Sequence, residues 1–297
     1  MGFSRKRRAM TEAEFESYLG ERKGLIDTAL ERLLLSEAAA PARLLEAMRC
    51  AALDGGKRLR PILSLAVADI AGRPLAHLLD VACAIELIHA ASLVLDDLPA
   101  MDDAAMRRNH PSLHVRFGES TALLAAIALL ALAYERIPYS AECCGRPASA
   151  GKAVQIVAHA TGAQGIVSGQ FDDLAFSQTG ASDARIAEAY RHKSGDLFCA
   201  AALAPAQLAG LSPSEANCLD RYASNVGLAF QITDDLIDAD KTGEDAGKIT
   251  LIASLGMSGA REHAARLLEE AVQALDGFGD AAEPLRFLAR TILRRTE

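Results

Sequence analysis

Apolar positions recur at three- and four-residue steps along almost the whole chain, and strict alternation is scarce. The pattern predicts helices over 12–36, 42–53, 61–71, 75–97, 120–137, 148–175, 182–211, 214–239 and 258–275, with a short last one from Glu283. Start signals agree with it. Thr11 and Glu14 read as a capping box. Ser212-Pro213-Ser214-Glu215 joins an N-cap, a proline at the first helical position and a glutamate at the third. Segments 81–95 and 123–132 are apolar nearly all round, which marks interior helices. Segment 138–147 reads as a loop on its composition. No repeat or low-complexity linker divides the chain. The expected fold is all-α, a single-domain bundle over 11–297 behind a basic, disordered tail at 1–10.

Composition narrows this further. In 297 residues, 51% hydrophobic and 24% charged content excludes global disorder. Trp is absent and aromatics are 5%, so the core is expected to be Ala, Leu and Ile rather than that of an aromatic-rich sandwich. No apolar run is expected to reach the roughly 20 residues that cross a bilayer. No signal peptide is expected either, because 11–20 is polar. A net charge of −8 argues against a nucleic-acid or anionic-membrane surface. Cys50, Cys83, Cys143, Cys144, Cys199 and Cys218 form no C-x-x-C pair. They read as small apolar residues of a protein in a reducing cytoplasm.

Two acidic clusters break the apolar pattern. Asp96, Asp97, Asp102 and Asp103 gather at the C-terminal end of a buried helix, where the helix dipole already disfavours negative charge. Pro99 breaks that helix, so Asp102 is free to fold back towards Asp96. Further on, Gln231, Asp234, Asp235 and Asp238 share one helix face, opposite Phe230, Ile232, Leu236 and Ile237. One such cluster alone reads equally well as a solvated acidic loop. Two in one chain demand a cation, and carboxylates suit Mg²⁺. Cations are grouped too: Lys57, Arg58 and Arg60 beside Gly55-Gly56, then Arg107-Arg108, Lys193, and Lys241 with Lys248. Alternating carboxylate and cation clusters suit a site for two polyphosphates, one held through metal and one held directly.

These residues resemble the trans-isoprenyl diphosphate synthases, and among them bacterial geranylgeranyl diphosphate synthases. The motifs run in order: GGKRLRP at 55–61, ELIHAASLVLDDLPAMDD at 86–103, RR at 107–108, GQFDDL at 169–174, HKSG at 192–195, FQITDDLID at 230–238 and DAGKIT at 245–250. The resemblance implies an isoprenoid-synthase-type bundle around a deep central cavity, usually a homodimer. It implies head-to-tail transfer of an allylic prenyl group to isopentenyl diphosphate, with three Mg²⁺ ions. By the same resemblance Asp96 and Asp102 hold two ions with Asp97 behind them. Asp234 holds the third with Asp235 and Asp238 nearby, and Asp173 holds metal-bound water. Arg107, Lys193, Gln231 and Lys248, with Lys241 a further candidate, take the allylic diphosphate; Ser194 keeps a hydroxyl where relatives carry Thr. Gly56, Lys57, Arg60, His89 and Arg108 take isopentenyl diphosphate. Three positions depart from the pattern. Asn109 stands where a Gly is usual, Ala126-Ile127 where Gly-Asp is common, and the stretch between Asp238 and Lys248 is short.

Product length in such enzymes depends on side chains before the first aspartate cluster. Ala91 and Ser92 are small, which implies no floor at C15, while Ile88 and Ile85 are bulky enough to end the tail at C20. Leu123, Leu124 and Ile127 are further candidates on the facing helix. A C20 prenyl transferase is thus the expectation. The alternatives are a C15 or longer-chain synthase, a non-catalytic partner subunit, which should lose an aspartate cluster, and a terpene cyclase, which needs no isopentenyl site.

Overall fold

The computed structural model describes residues 10–179, 182–242 and 250–294. Thirteen α-helices account for most of them: α1 (Glu12–Ser36), α2 (Ala42–Leu53), α3 (Leu59–Ile70), α4 (Leu79–Asp96), α5 (Leu113–Phe117), α6 (Glu119–Cys143), α7 (Ala150–Thr161), α8 (Ile166–Thr179), α9 (Asp183–Tyr190), α10 (Asp196–Ala209), α11 (Pro213–Thr242), α12 (Leu251–Ala274) and α13 (Glu283–Arg294). The all-α bundle expected from the sequence is what forms. α4 is its axis, buried along Val81–Ile88 and packed on α6, α3 and α10. Small side chains make this possible. Ala122, Ala125, Ala126 and Ala133 of α6 are fully buried, which lets the two long helices lie close. Both capping boxes form, Thr11 with Glu14 and Ser212 with Glu215.

The structure differs from the expected elements at several points. Only 144–146 of the stretch 138–147 forms the expected break: α6 runs through Pro138 to Cys143. That last turn is held because Ile137, Ser140 and Ala141 are buried, and the Val81 backbone N–H donates to Ser140 Oγ at 2.9 Å, capping the start of α4. The extended α6 therefore becomes, among the described residues, the one helix long and apolar enough to cross a membrane, contrary to expectation. Its buried face nonetheless packs into the bundle. The helix expected over 148–175 breaks between Gly162 and Gly165. The helix expected over 182–211 is interrupted by a π-helical turn, Arg191–Gly195. A two-stranded hairpin, β1 (Met106–Arg107) with β2 (His110–Pro111), follows the first aspartate cluster.

The basic tail at 1–10 lies outside the described residues except for Met10.

Candidate active site

α4 ends where its apolar run meets charge. The chain turns at Pro99, and the Asp102 N–H donates to the Asp96 carbonyl at 2.9 Å. This fold-back puts both residues on the rim of a cavity of about 880 Å³. Asp96 is the end of a stripe down α4, with Ser92, His89 and Glu86 below it at helical spacing, all lining the same cavity. Gln231 and Asp234 of α11 form the facing wall, and Lys193 and Ser194 come in from the π turn.

That turn is placed by a close crossing. A Cβ added at Gly169 of α8 would sit 2.3 Å from the Lys193 backbone nitrogen, so only glycine lets α8 approach. Lys193 Nζ donates to Asp173. Burial works against its ammonium, but Asp173 and Asp96 outweigh that and push its pKa up, so it stays charged. Ser194 Oγ donates to Gln231 Oε1 at 2.6 Å, Gln231 Nε2 donates to Asp235 Oδ1 at 3.0 Å, and the Tyr190 hydroxyl donates to Asp235 Oδ2.

The opposite wall is cationic. All three cations beside Gly55-Gly56 border the cavity, Lys57, Arg58 and Arg60. Arg58 points into the core, 3% exposed, with a left-handed φ of 54°. Its guanidinium donates to Asp27 and to the Ala52 carbonyl, both at 2.8 Å, and to buried Glu86. Arg60 lies over the Phe198 ring, 4.3 Å from its centroid, and burial brings its pKa down to about 10. The hairpin delivers Arg108 from the far side. Arg108 and Asn109 both have positive φ, 51° and 66°, as a two-residue turn matched to the strand twist requires, and asparagine tolerates that region without glycine. Arg108 Nη1 donates to the Gly55 carbonyl at 2.8 Å, and a Cβ on Gly56 would meet the same guanidinium at 3.0 Å. His89 stands among these arginines. Burial, then Arg60 and Arg108, hold its pKa well below the usual imidazole value, so it is neutral.

Other residues named from the sequence stand elsewhere. Asp97 is 3% exposed and does not line the cavity; Arg107, which does, is tied to it by two hydrogen bonds, the Nε one at 2.9 Å. Asp173 and Asp235 stand one layer back, bound to Lys193 and to Gln231 with Tyr190, while Asp238 is exposed. Ala91, Ile88 and Ile85 are fully buried and lie outside the cavity lining, which Ser92 reaches. Leu123, Leu124 and Ile127 do not face a channel: they are 44%, 56% and 54% exposed on the outer face of α6. The Lys241 side chain and the whole of Lys248 lie outside the described residues. Sequence reasoning counted Arg58 among the cations without giving it a role of its own, and passed over Tyr190. A third cation in a glycine-rich basic turn and a tyrosine three residues before Lys193 carry no local mark of their partners.

The donor set fits a hard divalent cation. Burial pushes the Asp96 pKa up to about 6, Lys193 opposes this, and the Asp102 and Asp97 charges add to it. Carboxylates crowded at the rim of a cavity are what Mg²⁺ neutralises. Among the described residues no three acidic, His or Cys side chains form a closed cage, and Mg²⁺ needs none, since it takes one or two carboxylates plus waters and phosphates.

A helical bundle with a carboxylate wall and an arginine wall on one cavity defines a protein that handles two anionic substrates together. The chain belongs to the polyprenyl synthetase family, which it matches over residues 41–254. It is 38% identical over 297 residues to geranylgeranyl pyrophosphate synthase 11 of Arabidopsis thaliana, covering 95% of this chain and 82% of that one. It is 41% identical over 237 residues to the geranylgeranyl diphosphate synthase of Pantoea ananas, covering 77% and 78%. Among solved structures, an FPP/GFPP synthase from Zymomonas mobilis superposes with a TM-score of 0.86 at 35% identity, covering 95% of this chain and all of that one. The chain is thus a prenyltransferase of isoprenoid biosynthesis.

Proposed function

We propose that the protein condenses isopentenyl diphosphate with allylic diphosphates to geranylgeranyl diphosphate, releasing pyrophosphate. One observation carries this reading: a carboxylate wall (Asp96, Asp102, Asp234) and a cation wall (Lys57, Arg60, Arg108) line the same cavity. A terpene cyclase has no use for the second wall, and a silent partner subunit has no use for an intact first one. The allylic diphosphate binds between Asp96, Asp102, Asp234 and Lys193, with Gln231, Arg107 and the two lysines Lys241 and Lys248 as further contacts. Three Mg²⁺ ions, the number the family resemblance implies, would be held by Asp96, Asp102 and Asp234, and would neutralise the departing pyrophosphate. Asp97 and Asp173 orient the neighbouring cations, and Asp235 and Asp238 flank the third ion. Isopentenyl diphosphate lies on Lys57, Arg60, Arg108 and neutral His89, with the Gly56 backbone giving room for Arg108. Those groups hold its double bond towards the allylic carbon as the carbon–oxygen bond breaks. Small Ser92 on the cavity wall, with Ala91, Ile88 and Ile85 buried behind it, leaves room for a C20 tail, and relatives named for that product support it.

The protein is proposed to act as one catalytic domain over 11–297, as a homodimer in the cytoplasm. The exposed apolar positions Leu123, Leu124 and Ile127 on α6 support the dimer. Six free cysteines support a reducing compartment. Incubation with isopentenyl and dimethylallyl diphosphates tests the metal assignment: turnover should stop in EDTA and return with Mg²⁺. Undiminished turnover in EDTA would refute it.

A further inference from the structure

Tyr190 ends α9, immediately before the π turn that carries Lys193 and Ser194. It does not line the cavity, and 8% of it is exposed. Its hydroxyl donates to one oxygen of Asp235, whose other oxygen accepts from Gln231 Nε2 at 3.0 Å. Gln231 Oε1 in turn accepts from Ser194 Oγ at 2.6 Å, and both of these last residues reach the cavity.

The hydrogen bonds fix the direction of this chain. Gln231 presents its NH₂ to Asp235 and its carbonyl to Ser194. Ser194 must then give its proton to Gln231 and turn its lone pairs elsewhere. Its side chain has no branch at Cβ, so no steric preference fixes it as one would fix threonine, and the hydrogen bond does so instead. Asp235 sits on the same helical turn as Asp234, and its carboxylate is oriented by what holds each of its two oxygens. Gln231 holds one, and Tyr190 holds the other.

We infer that Tyr190 is a positioning residue of the allylic half of the site: through Asp235 it fixes the Gln231 carboxamide, and through that amide the Ser194 hydroxyl. The inference rests on the prenyl transfer proposed above. It assigns Tyr190 no contact with substrate. It leaves the isopentenyl wall alone, because Lys57, Arg60 and Arg108 belong to other elements.

The test is a double-mutant cycle on the full-length enzyme. Tyr190→Phe keeps the ring and deletes the hydroxyl. It should lower kcat about tenfold, the size expected for one hydrogen bond to a charged group, with the KM for isopentenyl diphosphate unchanged. In a Gln231→Ala background the same substitution should change kcat less than about twofold, because the relay is already cut. Equal factors in both backgrounds, or a full-strength Tyr190→Phe enzyme, would overturn the proposal. A second readout needs no turnover. In ¹⁵N-labelled protein the side-chain NH₂ signals of Gln231 should shift in Tyr190→Phe at an unchanged melting temperature. Unmoved Gln231 signals would overturn the relay even if prenyl transfer itself fails. Absent turnover with shifted signals would refute the functional reading and leave the relay standing.

Discussion

At the level of single residues, Asp96 is the most informative group. Its pKa of about 6 lies above the roughly 3.9 of an unfolded aspartate. The folded protein thus holds that proton more tightly than the unfolded chain. Its contribution to stability is complete below about pH 4 and is lost as the pH rises through 6. Asp96→Asn should therefore melt higher than the parent at pH 8 without metal, and at the same temperature at pH 4; calorimetry at both pH values reads the difference. An equal gap at the two pH values would show that Asp96 carries no strained charge. The two walls separate by substitution as well. Arg108→Ala should raise the KM for isopentenyl diphosphate and Lys193→Ala that for the allylic substrate. Each change should be roughly 10- to 150-fold, the worth of one charge-assisted contact. Steady-state kinetics with each substrate varied in turn checks this. Most of these residues were legible in the sequence, because carboxylates three and four residues apart on an apolar helix repel one another unless a cation sits between them. Legibility stopped at direction. Arg58 shares a turn with Lys57 and Arg60 but points inward to Glu86 and Asp27, partners 28 and 31 residues away. No local pattern distinguishes the inward cation from the outward two.

At the level of elements, the proposed control of product length lies on α4. Ser92 faces the cavity, whereas Ala91 is fully buried. Ser92→Phe should therefore place a ring in the path of the tail and shift the product from C20 towards C15, while a C5 primer is still consumed. Ala91→Phe should instead strain the packing, at a cost of about 1–3 kcal/mol, and lower the melting temperature. Chromatography of the dephosphorylated products and a thermal melt separate the two outcomes. The boundaries of α1 and α2 were readable to the residue, because a capping box and clean breakers enclose them. The continuation of α6 through Pro138 was not. Proline predicts an end, and the burial that overrides it comes from α4, 59 residues away in sequence from the Ser140 cap. The π turn at Arg191–Gly195 was equally hidden, since it packs against Gly169 on another helix.

At the level of the whole molecule, the sequence pattern of α6 misleads in one respect. Leu123, Leu124 and Ile127 read as channel wall and stand outside it, because the alanines on the opposite face are what α4 accepts. The proposed homodimer would cover these three exposed large apolar side chains. Leu124→Glu with Ile127→Glu should yield monomers by light scattering, with the helical content unchanged; persisting dimers would place the interface elsewhere.

On the proposal made above, one cavity brings together two diphosphates and grows the chain to C20. Purified protein incubated with Mg²⁺, isopentenyl diphosphate and each allylic primer in turn tests it most directly. Geranylgeranyl diphosphate is the expected end product from every primer shorter than C20. A product of C15 or longer than C20 from all of them would contradict the length assignment, and no condensation with any primer would contradict the claim itself.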